Sequence, residues 1–413
     1  MTINYSEIIQ IISELVEVRT SKEACNQKIT GETFLVKDLG MSSVDFVVIF
    51  EKIQKKLGKT INFIDLIMPN RSSYIEDLSI NELTNFLSNN QAEQIIANQK
   101  DPYVNRRGLI TQHDIDLLDR AIQHQTYHDE PTTLKNQLCF LLSAPRSGST
   151  LLRRMLGCHQ NIYAPMELHL MGYQNFSQRK QELQTSEHSH LLEGTVVARQ
   201  EIRQMKSEIS RAVEEMYSQD RRSVTQFYKE IDNHLTQDVW IDKTPSYAFS
   251  ASIIERIKTI FPDAKFIHLT RCPNAVIKSM IDSELGQLMR FQQTSGIQNV
   301  CFAEALWCLC ERNILESLST AKTRSIHIQF EELVSEPEIV MHQLHDFLGV
   351  NPSMAINPYD TINQNTEEKI ESYAGDLKTF LRNSIDPNVT SEWKQFDSLK
   401  WLSEPTKQVL KVA

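Results

Sequence analysis

The stretch FLLSAPRSGSTLLRRML, residues 140 to 156, most constrains what this chain can fold into. Its apolar opening, part of LCFLLS at 138–143, suits a short strand buried on both faces. A loop of small and cationic residues follows, and helical periodicity begins at once behind it. A strand turning so directly into a helix leaves the first backbone N–H groups of that helix without intrahelical acceptors, which makes an anion site. Gly148 allows a tight backbone, Ser147, Ser149 and Thr150 add hydroxyl donors, and Arg146 adds a planar charge suited to a forked phosphate contact. The loop lacks the Gly-Lys-Ser/Thr ending of a nucleoside triphosphatase. By itself the pattern also fits a well-capped turn.

A second strand-to-helix junction raises the specificity. KFIHLTRCPNAVIKSM, residues 265–280, sets Arg271 at a strand end, Pro273 near the first helical turn and Ser279 two turns further on. An arginine and a serine so spaced can grip a phosphate beside the helix, although each alone is commonplace on a surface. SIHIQF, 325–330, reads as a third strand. Strands alternating with helices from about residue 138 predict a parallel sheet with helices on both faces. No acidic strand end suggests a magnesium ligand, so no metal site is expected.

The first 90 residues read differently, as a small all-α unit of four helices. SEIIQIISELVEV places Ile8, Ile11, Ile12 and Leu15 at helical spacing, and SSVDFVVIFEKIQKKLG does the same with Phe46, Ile49, Phe50, Ile53 and Leu57. TINFIDLI supplies a short third helix. SINELTNFLSN supplies a last one, opened by a serine cap with a glutamate three positions on. Residues 91–136 are polar and read as a linker carrying one amphipathic helix, DIDLLDRAIQHQ. Residues 137–413 form the second domain.

The 413 residues carry a net charge of −10, an acidic balance that argues against a general nucleic-acid binder and makes any basic pocket a device for one anionic ligand. No apolar run reaches membrane-span length and the first residues have no signal-peptide pattern, so a cytoplasmic protein is expected. Seven scattered cysteines without a Cys-x-x-Cys pair predict reduced thiols rather than disulfides or zinc ligands.

Four resemblances give these features a purpose. DLGMSSVDFV, residues 38–47, places Ser43 at the start of an amphipathic helix; the position suits an ordinary N-cap. The pattern and the four-helix layout also resemble an acyl carrier protein, which implies a 4′-phosphopantetheine arm on Ser43 and an acidic face from Asp38, Asp45 and Glu51. The family usually has aspartate where Ser42 stands. Over residues 138 to 385 the chain resembles sulfotransferases that use 3′-phosphoadenosine 5′-phosphosulfate (PAPS), with a P-loop-like fold. Arg146, Ser147, Gly148, Ser149 and Thr150 match the 5′-phosphosulfate loop, Arg271 and Ser279 match the 3′-phosphate pair, and IQFEELVSEPEIVMHQLHDFLGV matches the closing segment. The register of PMELHLM and WIDKTPSYA is similar to tyrosylprotein sulfotransferases, which implies Glu167 as catalytic base and Lys243 as transition-state lysine. The wording SAPRSGSTLL, ELHL and DKTPSY resembles most closely the sulfotransferase modules of cyanobacterial polyketide synthases, of curacin and olefin synthase type.

The resemblance implies sulfation of the 3-hydroxyl of a carrier-tethered acyl chain. Glu167 would take the hydroxyl proton, with His169 as the alternative base, while Lys243 and Arg146 stabilise the oxygen leaving with adenosine 3′,5′-bisphosphate (PAP). A phosphopantetheinyl transferase and polyketide or fatty-acid synthase proteins are the implied partners, with either a separate thioesterase acting next or sulfation as the end product. Residues 172–235 are expected to be helices covering the pocket as a mobile lid. Two other readings are a sulfotransferase for free alcohols or phenols with a degenerate carrier domain, and a carrier scaffold with an inactive transferase.

Overall fold

The computed structural model describes residues 7–13, 29–39, 49–50, 52–53, 56, 66, 77–87, 109–122, 127, 130–184, 189–283, 299–320, 323–353, 357, 385 and 402–411. The chain divides into two compact units, residues 1–104 with 362–383 and residues 105–361 with 384–413.

In the first unit, residues 7–13 and 80–87 are helical. Ile8, Ile11 and Ile12 share one core with Leu35, Ile49, Phe50, Ile53, Leu83 and Leu87, as an amphipathic stripe requires. The expected cap opens the second of these helices. Ser79 Oγ donates to Glu82 Oε2 at 2.7 Å, and the Glu82 N–H donates back to Ser79 Oγ at 3.3 Å. Asp77 accepts the N–H groups of Val36 and Lys37, each at 2.8 Å, and so pins the preceding loop. Asp38 accepts the N–H of Phe34 at 2.8 Å. Ser42, Ser43, Asp45, Glu51 and the full set of four helices lie outside the described residues.

The second unit opens with helix α1 (Gln112–Ile122), followed by β1 (Gln137–Leu142), α2 (Ser149–Leu156) and β2 (Ile162–Tyr163). Four helices come next: α3 (Phe176–Leu183), α4 (Glu193–Arg203), α5 (Ser207–Gln219) and α6 (Val224–His234). Then follow β3 (Val239–Lys243), α7 (Ala251–Ile260), β4 (Lys265–Thr270), α8 (Pro273–Asp282), α9 (Asn299–Leu318), β5 (Arg324–Gln329), α10 (Phe330–Ser335), α11 (Pro337–Leu348) and α12 (Glu404–Leu410). The strands form one parallel sheet in the order β2-β3-β1-β4-β5. From β1 the chain runs outward to one edge and then returns across the sheet. Right-handed crossovers put the helices of these two directions on opposite faces. Every residue of β3 is buried, as are Leu138 to Leu142 of β1, the mark of a strand covered on both sides.

β3 and β2 were not expected from the sequence. VWIDK ends in two charged residues and β2 is only two residues long, so neither reads as an apolar run. The helix expected within the linker belongs to the second unit. It buries Ile115 and Leu118, and Arg312 of α9 donates to its Asp116 and Asp119 at 3.2 and 3.0 Å. An isolated amphipathic helix of 11 residues is marginal in water, so its apolar stripe seeks cover. Cys139, Cys308 and Cys310 are free and buried. Among the described residues no helix is long and apolar enough to cross a membrane.

Candidate functional site

A parallel sheet delivers its strand ends to one edge, and the crevice there is where such folds bind ligands. All the predicted site residues of this unit lie along that edge. The loop Ala144–Gly148 follows β1, Lys243 ends β3, Arg271 follows β4, and the segment with Glu167 and His169 follows β2.

The loop after β1 is shaped for close approach. Arg146 and Gly148 both take the left-handed conformation, with φ of +68° and +91°. A Cβ at Gly148 would run into the Phe330 ring, so glycine is required by space as well as by φ. Gly148 precedes α2 without any side-chain cap. The first N–H groups of α2 therefore face the crevice without a protein side chain to satisfy them. Ser147 is buried, and among the described residues its hydroxyl has no hydrogen-bond partner. An uncapped helix start, an orphaned hydroxyl and an arginine make a donor set that fits a phosphate or sulfate group.

The second anion element meets the first. Arg146 Nε donates to Ser279 Oγ at 3.1 Å, and Arg271 Nη1 donates to the Arg146 carbonyl at 3.0 Å. Arg271 also stacks on Phe330, 4.5 Å from the ring centroid. Residues about 125 to 133 positions apart in sequence thus form one cationic wall. Phe330 serves both elements, lying against Gly148 and under Arg271.

Lys243 joins this wall to a carboxylate. Its Nζ forms a short ion pair with Glu167 and lies 3.3 Å from Thr150 Oγ1. Glu167 Oε2 also receives His169 Nε2 at 3.1 Å. Burial alone would push the Glu167 carboxyl up, but Lys243 and His169 outweigh it and hold it at about 2. Burial pushes the Lys243 ammonium below its ordinary range, with Glu167 opposing. We regard the pair as ionised, because only the charged form satisfies both partners.

The segment around Glu167 is held from several sides. Thr244 Oγ1 accepts the Leu168 N–H at 3.1 Å and donates to Asp242 Oδ1 at 2.9 Å. The Tyr247 hydroxyl accepts the Leu170 N–H at 3.1 Å and donates to Asp242 Oδ2 at 3.0 Å; Tyr228 donates to the same oxygen at 2.5 Å. Burial raises the Asp242 carboxyl, with these hydroxyls opposing. On the other side, Arg179 donates to the carbonyls of His169 and Leu168 at 3.0 and 2.9 Å. Gly194 approaches so closely that a Cβ there would strike the Glu167 carbonyl.

Arg179 begins a ladder of buried charges. It pairs with Glu214 at 2.8 Å; Glu214 pairs with Arg199; and Arg199 pairs with Glu230 at 3.0 Å. Residues 172–235 are largely helical as expected; ion pairs link α3, α4, α5 and α6 to one another, and Arg179 of α3 ties them by hydrogen bonds to the carbonyls of Leu168 and His169. Asp242, Thr244, Tyr247 and Arg179 were not singled out from the sequence. The only signal was a pair of charged residues ending an otherwise apolar WIDK, with a threonine just after it.

The sequence matches the Sulfotransferase family profile over residues 139–353. The chain resembles the sulfotransferase domain of the Synechococcus PCC 7002 olefin synthase at 31% identity, covering 70% of this chain and 97% of that domain, with a TM-score of 0.60. It resembles the sulfotransferase domain of the curacin biosynthetic pathway at 29% identity, covering 68% and 98%, with a TM-score of 0.61. Nodulation protein NoeE of Sinorhizobium fredii is 23% identical over 275 residues, 62% of this chain. The match spans 60% of that curated relative's length.

Proposed function

Because the chain belongs to the sulfotransferase family, we propose that it moves a sulfuryl group from PAPS to the 3-hydroxyl of an acyl chain held as a phosphopantetheine thioester on Ser43. One observation carries the reading: Lys243 touches both Thr150 of the anion loop and Glu167, so donor wall and base share one ammonium. The similarity to olefin synthase and curacin pathway domains supports a carrier-borne acceptor.

PAPS supplies the sulfuryl group, with PAP as product. Ser147, Gly148, Ser149, Thr150 and Arg146 hold the phosphosulfate end, and Arg271 with Ser279 holds the 3′-phosphate. The charge developing on the departing phosphate is met by Arg146, Lys243 and backbone N–H groups. Glu167 accepts the acceptor's hydroxyl proton. A carboxylate held at about 2 by its partners is a weak base. When the Lys243 ammonium turns toward the leaving oxygen, Glu167 loses its strongest stabilising neighbour and its basicity rises. One motion of Lys243 thus serves both ends of the transfer. A carrier tethered in the same chain presents its acyl group at an effective concentration on the order of millimolar. The partners are a phosphopantetheinyl transferase to modify Ser43 and polyketide or fatty-acid synthase proteins upstream.

The test is intact-mass analysis of the full chain loaded with a 3-hydroxyacyl-phosphopantetheine and given PAPS. A sulfate-sized gain, absent in Ser43→Ala, is expected. Turnover of free alcohols that survives Ser43→Ala would replace this reading with a small-alcohol sulfotransferase. Loading without any sulfation would leave only a carrier scaffold.

A further inference from the structure

We propose that Ser246 is a positioning residue for the transfer: bound to Nδ1, it holds the orientation in which the His169 imidazole turns its Nε2–H to the Glu167 carboxylate. The inference rests on Glu167 being the proton acceptor, and it turns His169 from a rival base into a support.

The argument runs from donor and acceptor chemistry. An ionised carboxylate only accepts hydrogen bonds, so at 3.1 Å from Glu167 Oε2 the His169 Nε2 must carry the proton. In the neutral ring Nδ1 is then an acceptor. Ser246 Oγ lies 3.2 Å from Nδ1, and a hydroxyl can donate to it. A hydroxyl also rotates to accept if the ring becomes doubly protonated. Ser246 therefore suits both states: with the Glu167 carboxylate taking the Nε2 proton, Ser246 donates to Nδ1 and holds the ring in the one orientation that satisfies both nitrogens. The partner on the second ring nitrogen commonly sets which nitrogen of a histidine works.

The backbone gives His169 no ready alternative. Its φ is +48°, uncommon for a side chain other than glycine and maintained only where the surroundings impose it. Arg179 imposes it from one side by gripping the Leu168 and His169 carbonyls, and Thr244 and Tyr247 impose it from the other. Ser246 belongs to the short 3-10 turn Pro245–Phe249, directly behind Lys243 and Thr244. One six-residue run, Asp242 to Tyr247, thus supplies the ammonium on Glu167, the hydroxyl on Leu168, the hydroxyl on His169 and the hydroxyl on Leu170.

The test compares the full-length protein with Ser246→Ala and Ser246→Thr. Nitrogen NMR of labelled histidines, with His169 assigned from a His169→Gln spectrum, reads the tautomer without needing any acceptor. In wild type and Ser246→Thr, Nε2 should show the protonated signature and Nδ1 the bare one; in Ser246→Ala the two should move toward an averaged mixture. Sulfation by Ser246→Ala should fall about tenfold in kcat, short of the 10²–10⁴ that removal of a general base costs. PAP binding by calorimetry and donor KM should not move, and Ser246→Thr should restore the rate. Unchanged His169 signals in Ser246→Ala overturn the inference, as does a rate loss that threonine does not repair. Full activity in Glu167→Gln would instead sink the base assignment, whatever the His169 spectrum shows.

Discussion

Gly148 is constrained twice, by a φ of +91° and by the Phe330 ring in the space a Cβ would take. Gly148→Ala must therefore strain the backbone and displace Phe330, on which Arg271 stacks. A cost of about 1–3 kcal/mol at the loop is expected. Calorimetry with PAP should show an affinity loss of tenfold or more for Gly148→Ala; unchanged affinity would mean that the loop geometry is not what holds the anion. At this scale much was legible beforehand. Two contact groups result, Ser279–Arg146–Arg271 and Thr150–Lys243–Glu167–His169, all built from residues that their type and motif spacing had marked out. What was not legible is which of them touch without ligand. That Arg146 meets Ser279, and Lys243 meets Glu167, depends on strand order.

At the scale of elements, a buried carboxylate shows how the last helix is retained. Glu304 of α9 is fully buried and accepts the Ser403 N–H at 2.7 Å and the Thr406 hydroxyl at 2.7 Å. Ser403 in turn accepts the N–H of Ile110 at 2.9 Å, so the approach to α1, α9 and α12 meet at one polar node inside an apolar surround. Glu304→Ala leaves these donors unsatisfied, at about 1–3 kcal/mol each. Hydrogen exchange should show amides 402–411 losing protection while β1 and β4 keep theirs. Retained protection would mean that apolar packing alone docks α12. The strand KFIHLT, the strand after α9 and the helix behind each were readable from apolar runs and period. β3 was not, since Asp242 and Lys243 are charged. Their burial is tolerated because Tyr228, Thr244, Tyr247 and Glu167 satisfy them.

For the molecule as a whole, His345 and Glu167 are two of the groups that shape acid stability. Burial and the neighbouring His159 hold His345 at about 4, below its ordinary 6.5. The His159 and His345 ring centroids lie 4.9 Å apart, and among the described residues neither His345 nitrogen has a hydrogen-bond partner. A depressed folded value means the unfolded chain binds the proton first. The stability is therefore complete above pH 6.5 and drains away as pH falls toward 4. Glu167 has the same sign in a lower window, from its ordinary 4.5 down to about 2. Scanning calorimetry from pH 7 to pH 4.5 should show the wild-type midpoint falling more than that of His345→Phe. Parallel falls would remove His345 as the source.

The sequence by itself determined the groups available to this protein: an anion loop behind a buried strand, a second cationic strand end, and a carboxylate and a lysine in segments of their own. Those depend on residue type and local spacing, which the chain carries openly. Only the tertiary structure decided how they combine. The order β2-β3-β1-β4-β5 gathers segments scattered from residue 146 to residue 330 at one sheet edge. It also recruits Arg179, Asp242 and Ser246 as supports, because a buried polar group must find partners wherever the fold brings them.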